Sequence, residues 1–192
     1  MSAPELLASY WTICGAAEPH TEREYSPFAL RERAASASRA GFTGLGIWHS
    51  DLVHERQPAG ITHLHNDTVP PLGGDTLWAS GYSAYEKLSP GFRAFIDGKQ
   101  AVYRSAHPYL DRDRPEAGPK FIERVHPLVR VHPATGWKAL WVNRSMTDRI
   151  VGLDKAESDL ILGYLYDVYE RNVDIQVRFR WTPGTSALWD NR

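Results

Sequence analysis

Cysteine and net charge are both scarce in this sequence of 192 residues, and each shortage excludes a class of protein. Cys14 is the single cysteine, so the chain has no internal disulfide and fits a reducing compartment. No CxxC motif or cysteine/histidine cluster surrounds it, which predicts a buried structural thiol. The 22 basic and 23 acidic residues leave a net charge of -1. We therefore expect neither nucleic acid nor anionic lipid as a partner.

Long apolar runs are also missing. No stretch approaches the roughly 20 apolar residues of a membrane span, so a membrane partner is not expected. The first residues, Met1 to Glu5, lack the basic stretch and apolar block of a secretory signal. The sequence therefore predicts a cytoplasmic location.

The residues that are present are those of an ordinary globular domain. The hydrophobic fraction of 42% and the charged fraction of 23% are typical of such proteins, and the length suits one domain with a real core. Seven tryptophans and nine tyrosines are many for this length. They favour aromatic-rich β-structure or a deep pocket.

The N-terminal fifty residues have the pattern strand, helix, strand. Leu6–Ile13 and Gly44–Trp48 are short and apolar, which predicts strands. A helix is predicted between them, with Pro27 near its first position and Gly41 at its end. This βαβ-like order is typical of parallel α/β folds.

The remainder alternates strands with a few helices. Thr76–Trp78 follows a turn over Pro70–Asp75, and helices are predicted near Ser83 and after Ser89, where Pro90 takes the first helical position. A hairpin over residues 126–142 and a helix beginning at Asp154 follow. Leu160, Ile161, Tyr164, Leu165 and Val168 are predicted to share one buried face of that helix. Apolar and polar residues alternate over Val173–Trp181, which predicts a strand, and a further strand is predicted to end at Trp189.

Two His-x-Asp pairs are the first candidates for chemistry. His49 with Asp51, and His65 with Asp67, each place an imidazole and a carboxylate two residues apart. On an extended segment such side chains point to the same side. Two histidines and one carboxylate on one face of a metal suit non-haem Fe(II). The pattern alone does not choose between the pairs, and surface residues would also explain both.

Other polar residues have simpler interpretations. His54, His63 and His65 suggest zinc, but the cysteines and the helical HxxxH spacing of zinc sites are missing. His126 and His132 each precede proline at a strand edge and are predicted to be structural. Asp75 is interpreted as a turn residue. Asn143 fits either a pocket wall or an exposed strand end.

Several longer blocks occur in a fixed order: Trp48–Asp51, Pro70–Ser80, Leu88–Pro90, His126–Arg130, His132–Gly136, Arg149–Leu153 and Trp189–Arg192. Over residues 49–192 they resemble the Fe(II)/2-oxoglutarate dioxygenases of the taurine dioxygenase (TauD/TfdA) type. The resemblance implies a mainly β fold with flanking helices, a double-stranded β-helix of jelly-roll type. It also implies oxidative decarboxylation of 2-oxoglutarate coupled to hydroxylation of a small molecule such as a sulfonate, and a homo-oligomer.

The resemblance also assigns roles to residues. His49 and Asp51 match the first two iron ligands, and Thr76 matches the threonine that contacts a carboxylate of 2-oxoglutarate. The spacing to Thr76 agrees only with His49, which ranks that pair above His65 and Asp67. In the family, the second histidine ligand and the arginine for 2-oxoglutarate lie beyond the Trp189–Arg192 block. We therefore expect an incomplete iron site and impaired catalysis, in a β-helix that is incomplete at its C-terminus.

Residues 1–48 carry a second resemblance, to the opening of a sugar phosphate isomerase/epimerase barrel. The predicted division is an isomerase-like segment over residues 1–48 and a partial dioxygenase domain over residues 49–192. Two other functions stay open: a catalytically inactive remnant that acts as a binding module, and isomerase chemistry from the N-terminal segment. About fifty residues cannot close a barrel that needs about 200.

Overall fold

The structure is a computed structural model that describes residues 7–8, 44–45, 48–70, 73–105 and 122–192. It divides into two compact units. The first comprises residues 1–47, 64–78 and 178–187, and the second comprises residues 48–63, 79–177 and 188–192. Cys14 and the helix predicted near the N-terminus lie outside the described residues.

The described residues contain short strands and three α-helices, joined by turns and loops. The strands are β1 Leu7–Ala8, β2 Gly44–Leu45, β3 Ile61–Asn66, β4 Thr76–Ala79, β5 Gln100–Arg104, β6 Glu123–Pro127, β7 Val129–Val131, β8 Lys138–Leu140, β9 Thr147–Ile150, β10 Gln176–Phe179 and β11 Thr185–Asp190. The helices are α1 Gly81–Glu86, α2 Pro90–Ile96 and α3 Lys155–Arg171. The mainly β class with flanking helices is confirmed. In the described part of the chain, no helix has the length and apolar character needed to cross a membrane.

Antiparallel pairing dominates the second unit. β5 lies between β6 and β9, with Val102 opposite Val125 on one side and Arg149 on the other. β7 and β8 form the predicted hairpin, with Val129 opposite Leu140.

The remaining described strands form pairs. β4 pairs with β10 and β3 with β11. β1 and β2 are parallel, as a βαβ unit requires, although the helix that would join them is not described.

The core of the second unit brings helix α3 together with the strands. Its most deeply buried large side chains include Leu88, Ile96, Tyr103, Leu128, Leu140, Ile150 and Leu165. The predicted helix starts are confirmed at Ser89, whose hydroxyl accepts from Phe92 N at 3.3 Å, and at Asp154, whose N–H donates to Glu157 Oε2 at 3.2 Å. Each cap satisfies a backbone group that the first turn leaves open.

Two buried tyrosines and the partly buried Tyr169 attach the segment from Leu140 to Thr147 to the core. Tyr103 donates to Trp141 O at 2.8 Å, Tyr166 donates to Thr147 O at 3.1 Å, and Tyr169 donates to Leu140 O. Burial raises the pKa of all three phenols, that of Tyr166 to about 12. The protonated phenols therefore hold the backbone from Leu140 to Thr147 in place.

The predicted buried face of helix α3 is partly wrong. Leu165 and Val168 are buried as expected, but Leu160 is 77% exposed and Tyr164 is 50% exposed. Ser158, Leu162 and Tyr166 are buried instead. The core therefore selects a face rotated by about a quarter of a turn from the predicted stripe. Ser158 is stabilised on that face because its hydroxyl accepts from Ile150 N at 2.8 Å.

Two leucines on this helix give a matched pair for measuring the core. Leu165→Ala is expected to lower the free energy of unfolding by about 2–5 kcal/mol, because it opens a cavity among packed side chains. Leu160→Ala should change it by less than about 0.5 kcal/mol, as expected for an exposed position. Urea unfolding of both variants measures the difference, and equal effects would show that the face is wrongly assigned.

The strand predicted over Val173–Trp181 is shorter than its alternation suggests. Val173–Ile175 form a 3-10 turn, and only Gln176–Phe179 are extended. Ile175 N donates to Asn172 O at 3.2 Å, which closes the turn, and Ile175 O accepts from Ser80 N at 2.9 Å. Local hydrogen bonding therefore overrides the period-two pattern at the start of this segment.

Candidate metal and co-substrate site

His49 and Asp51 come together at the start of the second unit. His49 Nε2 lies 3.4 Å from Asp51 Oδ1, and both side chains are partly exposed. The segment is a loop that enters a turn at Asp51, not the extended segment predicted for the His-x-Asp pattern. The two side chains nevertheless reach a common point, where an imidazole nitrogen and a carboxylate could contact one cation.

The backbone turns sharply just after Asp51. Leu52 has φ = 56°, in the left-handed region that a leucine seldom adopts. Its carbonyl accepts from Glu55 N at 2.9 Å. Such a conformation costs about 1–2 kcal/mol and persists only where surrounding contacts enforce it.

Asn191 supplies those contacts from the other end of the chain. Its Oδ1 accepts from Asp51 N at 2.8 Å, and its Nδ2 donates to Asp51 O at 2.9 Å and to Ala59 O at 3.0 Å. The residue is only 5% exposed. The peptide groups of Asp51 are therefore fixed by a single side chain 140 residues away in sequence.

Asp190 and its neighbours support the same corner. His132 Nε2 donates to Asp190 Oδ2 at 2.8 Å, while His132 Nδ1 accepts from Ala134 N and Thr135 N, both at 3.2 Å. These bonds place the ring proton on Nε2 and agree with the structural role predicted for His132. The Arg192 guanidinium holds the pKa of Asp190 down at about 2, so this carboxylate is ionised at neutral pH.

The zinc interpretation gains no support from the described residues. His126 Nε2 lies 2.8 Å from Glu55 O, and its ring contacts those of Tyr103 and Trp141, which agrees with a structural role. His54 is buried, with Nε2 lying 3.7 Å from Glu55 Oε1. The described part of the chain holds no group of three or more His, Cys, Asp or Glu residues arranged for a metal ion.

The competing pair lies in the first unit. His65 Nε2 is 3.0 Å from Asp67 Oδ1, and His65 Nδ1 is 2.7 Å from Ser186 Oγ. Both ring nitrogens are therefore engaged, and Asp67 is 92% exposed.

Thr76 also belongs to the first unit. Its Oγ1 accepts from Trp181 Nε1 at 2.9 Å. An indole nitrogen can only donate a hydrogen bond, so Thr76 does not use its own hydroxyl proton in this bond. That proton can therefore be donated to an acceptor such as a carboxylate. Trp181 is 4% exposed and packs against Trp78 and Phe179, which fixes the direction of its N–H.

Two further predictions have clear outcomes in the structure. Asp75 pairs with Arg178, with Oδ2 2.6 Å from Nε, so it links the turn to strand β10. Asn143 is buried, not at an exposed strand end: its Oδ1 accepts from Met146 N at 2.9 Å, and its N–H donates to Thr147 Oγ1 at 3.0 Å. Asn143 therefore closes the turn into β9.

Sequence reasoning missed the roles of Asn191 and Trp181. Both bond to a candidate site residue more than 100 positions away, and no local pattern reports such a contact. The one available signal for Asn191 is its place within the Trp189–Arg192 block.

The donor set at His49 and Asp51 fits a divalent iron ion. Neutral imidazole and carboxylate are the ligand types of non-haem Fe(II) sites, and no cysteine is among them. Across its length, the sequence matches one family. That family is described as "Taurine catabolism dioxygenase TauD, TfdA family", and the match covers residues 6–192. This chain belongs to it.

Relatives of this TauD/TfdA family member include enzymes named for their substrates. An alpha-ketoglutarate-dependent sulfonate dioxygenase of Saccharomyces cerevisiae is 36% identical over 153 residues, which are 78% of this chain and 37% of the relative. An alpha-ketoglutarate-dependent sulfate ester dioxygenase of Pseudomonas putida is 32% identical over 157 residues, 76% of this chain and 51% of the relative. The co-substrate predicted from the sequence is thus confirmed at the level of the family.

A solved structure shows the same fold. A taurine dioxygenase from Burkholderia xenovorans is 39% identical and superposes with a TM-score of 0.66, covering 76% of this chain and 47% of that protein. The family fold predicted for residues 49–192 is therefore supported. The chain spans about half the length or less of the relatives it matches. The family match begins at residue 6, and the predicted division at residue 48 stays a prediction.

Proposed function

We propose that this chain carries part of an Fe(II)/2-oxoglutarate-dependent dioxygenase that hydroxylates a small sulfur oxyanion compound, with a sulfonate as the first candidate. The supporting observation is the 3.4 Å approach of His49 and Asp51 within a chain that matches the family over residues 6–192. The sulfonate and sulfate ester relatives support the substrate class.

His49 and Asp51 are the proposed protein ligands of Fe(II). When bound, Fe(II) supplies oxygen activation coupled to decarboxylation of 2-oxoglutarate, so that one oxygen atom enters succinate and the other enters the substrate. The Asp51 carboxylate offsets one unit of the ion's charge, and the His49 imidazole supplies a neutral donor. Hydroxylation of the carbon beside a sulfonate would then release sulfite and leave an aldehyde.

Thr76 is the proposed contact for a carboxylate of 2-oxoglutarate. The bond from Trp181 Nε1 occupies a lone pair of its oxygen and leaves the hydroxyl proton to point elsewhere. A hydrogen bond to a charged acceptor contributes about 1.5–3 kcal/mol. The hydroxyl of Thr76 can therefore account for about a tenfold to hundredfold gain in affinity.

Two substitutions at Thr76 separate the hydroxyl from the methyl group. Thr76→Val is expected to raise the dissociation constant for 2-oxoglutarate by about 10-fold or more, since it removes the donor. Thr76→Ser keeps the hydroxyl and should stay within about threefold of the wild-type value. Equilibrium dialysis with labelled 2-oxoglutarate in the presence of Mn(II) measures both, and equal binding by the two variants would contradict the role.

Product formation tests the reaction. The chain is incubated with Fe(II), oxygen, 2-oxoglutarate and either taurine or an alkyl sulfate ester, and succinate is measured. Sulfite release with taurine supports the sulfonate assignment, whereas sulfate release from the ester supports the sulfate ester class. No His49-dependent binding of metal and no succinate would overturn the proposal.

A binding module without turnover is the second candidate function. Its support is that, among the described residues, no third His, Cys, Asp or Glu joins His49 and Asp51 in a metal-binding group. Two ligands hold a metal less tightly than the three of a complete site, so catalysis is expected to be impaired. His49-dependent metal binding without succinate formation would favour this function over the first.

A further inference from the structure

Asn191 makes several of the hydrogen bonds that hold the Asp51 loop. Asn191 has one carbonyl and one amino group in its side chain and one N–H and one C=O in its backbone. All four are bonded: Oδ1 to Asp51 N, Nδ2 to Asp51 O and Ala59 O, N to Gly60 O at 3.0 Å, and O to Trp141 Nε1 at 3.3 Å. Four of these five hydrogen bonds reach residues 51–60. The shape and the donor and acceptor positions of Asn191 therefore match this loop.

The two bonds to the Asp51 peptide form a closed pair. One donor and one acceptor of the same planar amide meet the N–H and the C=O of the same residue, as neighbouring strands do in a sheet. Such a pair fixes the position and the rotation of the Asp51 backbone. The third bond, to Ala59 O, ties the far end of the loop to the same side chain.

The strain at Leu52 shows why the loop needs this support. A leucine at φ = 56° would relax toward a common conformation if its neighbours allowed it. Any such relaxation would rotate the adjacent Asp51 and carry its carboxylate away from His49. The contacts of Asn191 lie on the residue just before the strained one and oppose that rotation.

We propose that Asn191 is a positioning residue for the iron site, acting through the peptide of Asp51 and not on the metal itself. The inference rests on the proposed role of Asp51 as a metal ligand. Residues that orient metal ligands typically change metal affinity by about 10–100-fold when they are replaced. Asn191→Ala is therefore expected to weaken Mn(II) binding by about 10-fold or more.

Trp141→Phe is the matched control. It removes the bond to Asn191 O but leaves the three side-chain bonds to the loop, and it disturbs the same buried corner. Its affinity for Mn(II) should stay within about threefold of the wild-type value even if its melting temperature falls. Loss of affinity in Asn191→Ala alone would then report positioning and not general destabilisation.

Asn191→Asp serves if the alanine variant fails to fold. It keeps the shape and the acceptor for Asp51 N, but it replaces the donor to Asp51 O and Ala59 O by an oxygen that repels both carbonyls. Its extra negative charge would by Coulomb attraction alone tighten the binding of a cation. Weaker binding by this variant is therefore a signature of lost geometry.

The experiment is a titration of the 192-residue chain with Mn(II), in which free Mn(II) is measured by electron paramagnetic resonance. Wild type, Asn191→Ala, Asn191→Asp, Trp141→Phe and His49→Ala are compared. The expected order is the strongest binding for wild type and Trp141→Phe, weakened binding for both Asn191 variants, and loss for His49→Ala. Wild-type affinity in both Asn191 variants overturns the positioning role alone, whereas binding unaffected by His49→Ala overturns the proposed site and this inference together.

Discussion

His49→Ala is expected to abolish specific binding of divalent metal, with an affinity at least about 100-fold below that of the wild-type chain, or about 2.7 kcal/mol. The imidazole is one of only two proposed ligands, and Asp51 alone cannot compete with water for the ion. Asp51→Asn should have a comparable effect, since a neutral amide oxygen is a weaker ligand than a carboxylate. Calorimetric titration with Mn(II) or Fe(II) under exclusion of oxygen measures the loss.

His65→Ala is the matched control for that prediction. His65 belongs to the second His-x-Asp pair and already bonds to Ser186 and Asp67. Its removal should leave the metal affinity within about twofold of the wild-type value. Loss of binding in His65→Ala with retention in His49→Ala would reverse the assignment of the two pairs.

Alkaline pH is expected to unfold the second unit. Tyr103, Tyr166 and Tyr169 have pKa values raised by burial, and each donates its proton to a backbone carbonyl between Leu140 and Thr147. A raised pKa means that the folded state keeps the proton which the unfolded state loses. The stabilisation is therefore complete below about pH 10, the ordinary pKa of tyrosine, and falls as the pH rises above it.

The size of the effect follows from the same linkage. Each unit of pH above about 10 costs about 1.4 kcal/mol for each tyrosine that stays protonated in the folded state. At about pH 11 the three phenols together account for about 4 kcal/mol, a large part of the 5–15 kcal/mol that stabilises a typical domain. We expect a cooperative transition near that pH, seen at once in phenolate absorbance and in circular dichroism.

Substitution of single tyrosines assigns the transition. Tyr166→Phe removes one buried proton and should flatten the dependence of stability on pH between about pH 10 and 12. Tyr164→Phe removes the hydroxyl of a half-exposed ring on the same helix and is the matched control. Phenolate absorbance that rises smoothly from pH 10, without a change in circular dichroism, would contradict the burial of these hydroxyls.

Much of the fold could be predicted because its signals are local. Ser89 with Pro90, and Asp154 with Glu157, mark helix starts through hydrogen bonds that span three residues. The hairpin of β7 and β8 follows from a turn between two apolar runs. The face of helix α3 was harder, because the polar Ser158 is buried by a bond to Ile150 N that only the folded chain supplies.

The site divides in the same way. The closeness of His49 and Asp51 follows from two positions of separation, and the choice of that pair came from the family spacing to Thr76. Asn191 and Trp181 could not be found by periodicity, since each acts on a site residue through one long-range hydrogen bond. Their roles depend on donor and acceptor geometry, which composition does not encode.

Anomalous scattering from a crystal of the chain grown with Mn(II) and 2-oxoglutarate tests the central claim most directly. We predict one strong manganese peak in contact with His49 Nε2 and the Asp51 carboxylate. A peak between His65 and Asp67, or metal bound without His49 and Asp51, would contradict it.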